Sequence, residues 1–139
     1  MATVKALTVV PGLKGTAAIS DVTIPTQGPN ELLVECLQIG ICGTDREILA
    51  GNYGAAPAGE ERLILGHESL GRVLAAPAGS SFQRGDLVVG IVRRPDPVPC
   101  ACCAAGEWDM CMNGQYTERG IRGAHGYASQ QFVLQRDLR

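Results

Sequence analysis

The sequence predicts a single, mainly β domain. Its apolar residues occur in short runs bounded by Gly, Pro, Asn and Asp, which is the pattern of strands separated by turns. Long apolar stripes with a helical period are almost missing. A chain of 139 residues is also long enough to bury a hydrophobic core of its own. We therefore expect one β-rich domain without internal repeats or low-complexity segments.

Five segments have the composition of strands: residues 4–10, 31–39, 69–75, 86–92 and 127–134. Turns are expected at residues 28–30, 78–80 and 84–86, because Gly, Asn and Asp tolerate the backbone angles of tight turns.

One short helix is expected over residues 45–50. Thr44 can cap its N-terminus and Gly51 can end it. Residues 95–99 contain three prolines, which fix φ and remove donors for a strand ladder. This segment is therefore expected to be a stiff loop.

Composition excludes several classes of partner. The formal net charge is −2 and the pI is about 5.6, so the chain lacks the basic character that favours nucleic acid or an anionic membrane surface. The apolar run that ends before Pro11 is too short for a signal peptide or a membrane span. We expect a cytoplasmic protein that binds neither nucleic acid nor membranes.

Cys42, His67 and Glu68 are the leading candidates for a catalytic metal site. The run Gly-His-Glu begins 24 residues after Cys42 and supplies an imidazole and a carboxylate beside the thiolate. A catalytic zinc takes three such protein ligands and leaves a fourth position open for water or substrate. The pattern therefore indicates metal-assisted chemistry.

Four of the six cysteines crowd into one stretch, at positions 100, 102, 103 and 111. A cytosolic chain is kept reduced, so metal binding explains this cluster better than disulfides do. Zinc would hold the thiolates tetrahedrally and stabilise the loop that carries them. The alternative is a group of free thiols in a surface loop.

Several motifs resemble the zinc-dependent medium-chain dehydrogenases. Residues 40–45 read Gly-Ile-Cys-Gly-Thr-Asp, and residues 66–68 read Gly-His-Glu. The chain resembles the glucose (aldose) 1-dehydrogenase branch of that family at residues 93–95, 109–111, 116–121 and 124–127. The resemblance covers essentially the whole chain. It implies a GroES-like, partly open β-barrel with short helices and a zinc-binding lobe at about residues 93–114.

The resemblance also implies roles for the catalytic residues. Zinc held by Cys42 and His67 would polarise a substrate hydroxyl, hydride would pass to a nicotinamide, and an aldose would become a lactone. Glu68 is either a direct zinc ligand or a carboxylate that moves onto zinc when water leaves. Thr44 passes the proton away, or only caps the helix. Asp45 starts the helix, or orients a zinc ligand.

Glu118 matches a glutamate that points at sugar hydroxyls in the aldose dehydrogenases. A carboxylate can accept two hydrogen bonds from neighbouring hydroxyls. The alternative for this residue is a surface charge beside Arg119.

A structural zinc in this family is held by four cysteines spaced Cys-x2-Cys-x2-Cys-x7-Cys. Aligned from the C-terminal end, the last three positions are Cys100, Cys103 and Cys111. The first position falls on Pro97, which cannot bind a metal. Asp96 is the favoured replacement. Two more arrangements stay open: Cys102 supplies the fourth ligand, or the site is empty.

The cofactor-binding part of such an enzyme is missing from this sequence. Residues 1–139 contain neither a Gly-x-Gly-x-x-Gly motif after a strand nor an alternating βα pattern. They are therefore expected to be the N-terminal catalytic domain of a longer, homo-oligomeric protein and to be inactive alone. NAD and NADP remain equally open. The rival functions are a zinc-dependent alcohol or polyol dehydrogenase and a non-catalytic GroES-like module for metal binding or assembly.

Overall fold

The computed structural model describes residues 2–135, and within them strands dominate. The strands are β1 Ala2–Val9, β2 Ala18–Ile24, β3 Glu31–Gly40, β4 Leu63–Ile64, β5 Glu68–Ala75, β6 Leu87–Val88, β7 Arg93–Arg94, β8 Thr117–Arg119, β9 Gly123–Ala124 and β10 Gln131–Gln135. The helices are α1 Gly43–Leu49 and α2 Ala101–Ala104, with a 3₁₀ turn at Trp108–Met110. None of these helices is long and apolar enough to cross a membrane. The mainly β fold predicted from the sequence is confirmed.

The described strands form three sheets that do not close into one barrel. Their strand orders are β2-β1-β4, β10-β3-β5-β6 and β7-β8-β9. Neighbouring strands are antiparallel in every pair except β8 and β9. Strand β3 is the central scaffold of the second sheet, because β10 and β5 pair along its two edges.

Two hydrophobic clusters hold the sheets together. The first lies on the β3 sheet and consists of Leu32, Val34, Val73, Tyr127, Phe132 and Leu134. The second consists of Val9, Ile48, Leu63, Leu65 and Ile121. Because Ile48 is a fully buried residue of α1, burial of its side chain anchors the helix that follows Cys42.

Three predicted strands are close to the observed β1, β3 and β5, but the strand predicted at 86–92 is wrong. Only Leu87–Val88 pairs there, with β5. Beyond it, side chains satisfy the backbone: Gly90 N–H donates to Ser69 Oγ, and the Ile91 carbonyl accepts from Tyr127 Oη. An alternating apolar pattern therefore does not guarantee a strand where no neighbouring ladder is available.

The strand predicted at 127–134 begins later, at Gln131. Residues 126–130 instead cross between sheets, donating backbone hydrogen bonds to Lys5 and to residues 64–66. The strands β2, β4, β7, β8 and β9 and the helix α2 were not predicted. Most of them have only two to four residues, too few to show a period. The turns predicted at 28–30, 78–80 and 84–86 are confirmed.

The predicted short helix is confirmed, but its predicted cap is wrong. The N-cap of α1 is Cys42, and Thr44 lies inside the first turn. Asp45 performs the capping instead, because its Oδ2 accepts the Cys42 N–H at 2.9 Å. Gly51 ends the helix as predicted, at φ +84°, with the paired backbone hydrogen bonds of a Schellman motif.

Substitution of Gly90 tests how tightly the chain packs against Tyr127 of the first cluster. A Cβ at Gly90 would overlap the ring of Tyr127, which is fully buried. We expect Gly90→Ala to lower the free energy of unfolding by about 1–3 kcal/mol, measured by urea denaturation. The control is Gly43→Ala, where a Cβ meets nothing within 4 Å. Equal effects of the two substitutions would contradict this packing.

Candidate metal centres

Strand pairing brings Cys42 and His67 together. In the antiparallel register of β3 and β5, Gly40 lies opposite Glu68. Cys42 follows that pair by two residues and His67 precedes it by one, so both side chains lie at the same end of the sheet. Cys42 Sγ is 3.1 Å from His67 Nε2. Two residues that are far apart in sequence thus meet in a partly buried position.

Asp45 is the third member of this group. Its Oδ1 lies 3.5 Å from His67 Nδ1, and its Oδ2 accepts the Cys42 N–H. The ligand atoms of Cys42, Asp45 and His67 lie within 4.8 Å of one another. Asp45 is 4% exposed, so its carboxylate is largely shielded from water.

This arrangement fits a metal ion. Among the described residues, Asp45 Oδ1 and His67 Nδ1 are buried without a hydrogen-bond partner. A thiol, an imidazole and a carboxylate are also the donor types that zinc prefers. With Asp45 next to Nδ1, the Nε2 atom of His67 faces Cys42 Sγ. A carboxylate on the far nitrogen commonly orients an imidazole that binds a metal.

Glu68 and Thr44 lie around this group rather than in it. Glu68 is exposed, and a Cβ added at Gly40 would lie 2.6 Å from its Oε2. Glu68 lines an open cleft of about 380 Å³ together with His67. Thr44 is partly buried and follows Cys42 by two residues. The structure leaves the roles of Glu68 and Thr44 in binding and catalysis as predictions.

A second group of side chains that could hold a metal ion is formed by Cys100, Cys103 and Cys111. Their sulfur atoms lie within 4.8 Å of one another. Helix α2 begins just after Cys100, whose Sγ accepts backbone N–H groups from Met112 and Cys103, each at 3.5 Å. The helix and the returning chain therefore bring the three sulfurs together.

The thiols of Cys100 and Cys103 have pKa values shifted in opposite directions. The backbone N–H of Met112, followed by that of Cys103, lowers the pKa of Cys100 to about 6. Burial is the main cause that raises the pKa of Cys103 to about 11. A stabilised thiolate at Cys100 beside a buried, protonated thiol at Cys103 suits metal binding, because a cation would favour loss of the second proton.

Asp96 lies next to the three cysteines. It is 6% exposed, its Oδ1 accepts the Val98 N–H at 2.8 Å, and its backbone N–H contacts the Cys103 sulfur. Its Oδ2 is buried without a hydrogen-bond partner among residues 2–135. In the described chain, however, neither Asp96 nor Cys102 belongs to the three-sulfur group. The identity of a fourth ligand stays a prediction.

Glu118 is paired with Arg93, a residue to which the sequence assigned no role. The two residues are opposite each other in β8 and β7, and Arg93 Nη2 is 3.5 Å from Glu118 Oε2. The sugar-binding role of Glu118 and the alternative of a surface charge beside Arg119 both stay predictions. The Glu118 side chain is only 16% exposed, and Arg119 instead donates to the His125 carbonyl and lies over the Tyr127 ring. Two-residue pairing of this kind leaves no period in a sequence.

The cysteine cluster can be tested by elemental analysis. If Cys100, Cys103 and Cys111 hold zinc, Cys103→Ser combined with Cys111→Ser should remove about one zinc per chain, because two of the thiolates are lost. The matched control is Cys36→Ser, which alters a thiol of β3 outside both clusters. Unchanged zinc in the double variant would show that the three sulfurs do not hold the metal.

Substitutions of Asp45 separate its two contacts. Asn at this position keeps an oxygen for the Cys42 N–H but removes the charge that faces His67. Asp45→Asn should weaken zinc binding at Cys42 and His67 by about 10–100-fold, measured by competition with a chromophoric chelator. Asp45→Ala should in addition cost about 1 kcal/mol of unfolding free energy, because the cap is lost. Wild-type zinc affinity in Asp45→Asn would count against the orienting role.

The sequence of this chain is similar to those of known dehydrogenases. The family model described as "Alcohol dehydrogenase GroES-like domain" matches residues 28–138. The chain is 45% identical over 130 residues to glucose 1-dehydrogenase of Methanocella arvoryzae, covering 93% of this chain and 36% of that protein. It is 42% identical over 135 residues to glucose 1-dehydrogenase 1 of Haloterrigena turkmenica, covering 96% and 36%. The chain thus spans about a third of the length of these curated relatives.

A solved structure has the same architecture. Glucose dehydrogenase of Haloferax mediterranei, determined in complex with NADP, zinc and gluconolactone, superposes with a TM-score of 0.82 at 39% sequence identity. The match covers 93% of this chain and 36% of that one. The similarity in architecture therefore extends over most of this chain.

Proposed function

Because the chain belongs to the alcohol dehydrogenase GroES-like domain family, we propose that it is the catalytic part of a zinc-dependent glucose (aldose) 1-dehydrogenase. The predicted GroES-like, partly open β fold is confirmed by the likeness to the solved glucose dehydrogenase. The observation that carries the proposal is the convergence of Cys42, Asp45 and His67 in a partly buried position. Relatives named glucose 1-dehydrogenase support the aldose as substrate.

We assign the catalytic zinc to Cys42 and His67, with Glu68 as the adjoining carboxylate. When bound, zinc supplies Lewis-acid polarisation of the substrate hydroxyl. Asp45 holds the imidazole of His67 in place, and through the Cys42 N–H it also fixes the start of α1. These contacts position the two ligands before substrate arrives, which saves reorganisation during the reaction.

Thr44 is suited to carry the proton. Its hydroxyl follows Cys42 by two residues, and within residues 2–135 it is engaged in no hydrogen bond. A hydroxyl can accept a proton and donate its own, so Thr44 would take the proton of the anomeric hydroxyl and pass it to solvent. A nicotinamide, when bound, would accept the hydride from the anomeric carbon that carries this hydroxyl, and the aldose would become a lactone.

Glu118 is proposed to recognise the sugar. Its carboxylate is mostly shielded, and the ion pair with Arg93 engages one of its oxygens. The other oxygen can accept a hydrogen bond from a sugar hydroxyl, which a simple alcohol lacks. Shielding from water strengthens such a charge-assisted hydrogen bond.

The proposed function also requires a nicotinamide site. The nicotinamide would be bound by a further domain, and the NADP in the solved relative supports NADP as the cofactor. The lobe at residues 93–114 would hold a structural zinc through Cys100, Cys103 and Cys111, with Asp96 as the proposed fourth ligand. We also propose a homo-oligomer in the cytoplasm, a location supported by six free cysteines.

The experiment is a comparison of substrates with the full-length enzyme. Glu118→Gln should lower kcat/KM for aldoses by about 10–150-fold, because one charge-assisted hydrogen bond is lost. A short aliphatic alcohol should be affected far less, and zinc content should be unchanged. The matched control is Glu35→Gln, a more exposed glutamate that is also paired with an arginine, Arg72.

Two results would contradict the proposed function. Near-wild-type turnover by Cys42→Ala at saturating zinc would exclude Cys42 as a catalytic ligand. Equal losses for glucose and for a short alcohol in Glu118→Gln would favour the plain alcohol dehydrogenase.

A further inference from the structure

One guanidinium, that of Arg93, joins three separate parts of the site. Its Nη2 faces Glu118 Oε2 at 3.5 Å, and its Nη1 donates to the carbonyls of Trp108 and Asp109, each at 3.2 Å. Its Cζ lies 3.8 Å from the centre of the Tyr116 ring. The planar fork of an arginine suits such simultaneous contacts, which an ammonium group cannot make.

One end of this bridge is the ion pair between Arg93 and Glu118, which strand pairing holds in place. Arg93 and Glu118 are directly opposite each other in the antiparallel pair β7–β8. Their side chains are 22% and 16% exposed, so the ion pair is screened less than a surface pair. The orientation of the Glu118 carboxylate therefore depends on where the guanidinium lies.

The other end of the bridge belongs to the cysteine lobe, by which we mean residues 100–111 with the three clustered thiols. The carbonyls that Arg93 binds lie in the 3₁₀ turn Trp108–Met110, directly before Cys111. The Trp108 carbonyl also accepts the Cys111 N–H at 3.2 Å. Cys111 is one of the three clustered thiols, so a metal ion bound there would restrain the turn that holds the guanidinium.

We propose that Arg93 is a positioning residue that couples the cysteine lobe to Glu118, so that metal bound by Cys100, Cys103 and Cys111 tightens the binding of a polyhydroxylated substrate. The inference rests on the proposed function, because it takes Glu118 as the sugar-binding group. It assigns the lobe a part in substrate affinity in addition to its part in folding.

The physical reason for the coupling is that Arg93 and Glu118 lose conformational freedom before the sugar binds. A guanidinium held by two carbonyls and an aromatic face presents one geometry to Glu118, and a carboxylate already in place loses less entropy when a sugar binds. Thermodynamic linkage makes the coupling reciprocal: the sugar must strengthen metal retention in the lobe by the same factor that the metal strengthens sugar binding.

Arg122 offers a matched control. Its Cζ lies 5.0 Å from the centre of the same Tyr116 ring, and its Nη2 donates to the Tyr116 carbonyl at 3.4 Å. Within the described residues it bonds to neither lobe carbonyl and pairs with no carboxylate. Arg122→Lys therefore changes an arginine on the same aromatic ring without cutting the bridge.

Kinetics of the full-length enzyme test the first half of the coupling. Arg93→Lys keeps the charge but not the fork, so KM for aldoses should rise roughly fivefold or more while kcat and the KM for a short alcohol stay near wild type. Arg122→Lys should leave all of these unchanged. Cys103→Ser with Cys111→Ser should raise the aldose KM in the wild-type background but add little in Arg93→Lys.

Zinc release without turnover tests the second half. A chromophoric chelator is added to full-length enzyme without nicotinamide, and the lobe phase is identified by its loss in the double cysteine variant. Glucose should slow that phase roughly fivefold or more in wild type, and not in Arg93→Lys or Glu118→Gln.

The outcomes separate the two proposals. Equal protection by glucose in wild type and Arg93→Lys, or an unchanged aldose KM after loss of lobe zinc, overturns the coupling and leaves the dehydrogenase intact. Absence of aldose turnover in wild-type enzyme overturns the proposed function, and the coupling with it.

Discussion

The register between β3 and β5 is the constraint on which the group of Cys42, Asp45 and His67 depends. Placing Gly40 opposite Glu68 brings the residues just beyond one strand next to those just before the other, so Cys42 and His67 meet. A slip of one residue would turn the side chains of β5 to the opposite face and separate the pair. The buried Val34 and Val73 are opposite each other on the far side of a β-bulge between Cys36 and Gln38, and each would lose its place in the core if the strands slipped. Their packing and the bulge together set the pairing of Gly40 with Glu68. The hydrophobic packing of the sheet therefore also aligns the proposed metal ligands Cys42 and His67.

Capping and ligand orientation depend on one carboxylate. One oxygen of Asp45 holds the backbone of Cys42 while the other faces His67, so the start of α1 and the direction of the imidazole are set together. Burial of Ile48 on the same helix keeps this unit against the second cluster. A polar group that is partly unsatisfied within the chain is costly to bury. A metal ion on His67 Nε2 would leave Nδ1–H as the donor to Asp45 Oδ1, which would offset this cost.

Short-range signals in the sequence predicted much of the fold and of the candidate site. Apolar alternation revealed β1, β3 and β5, and Gly51 marked the end of α1. Motifs in the sequence singled out Cys42 and His67. The sequence could not decide whether Thr44 or Asp45 caps the helix, because both side chains carry an oxygen that can accept a backbone N–H there. The pairing of Arg93 with Glu118 was hidden, because strands of two and three residues have no detectable period. The run after β6 failed as a strand because no neighbouring ladder is available there, and its backbone bonds to the side chains of Ser69 and Tyr127 instead.

The crossing segment at residues 126–130 has a consequence for biosynthesis. Its backbone N–H groups bond to the carbonyls of residues 64–66, directly before His67, and to that of Lys5. The loop that carries the imidazole therefore gains its full set of hydrogen bonds only after nearly the entire described chain has left the ribosome. Until then the pairing of β3 with β5 can already hold the Cys42 thiol beside His67, but the residues directly before His67 lack these hydrogen bonds. Such long-range closure is slow. If this group binds a metal, the ion that the newly made protein receives depends on timing as well as on ligand chemistry.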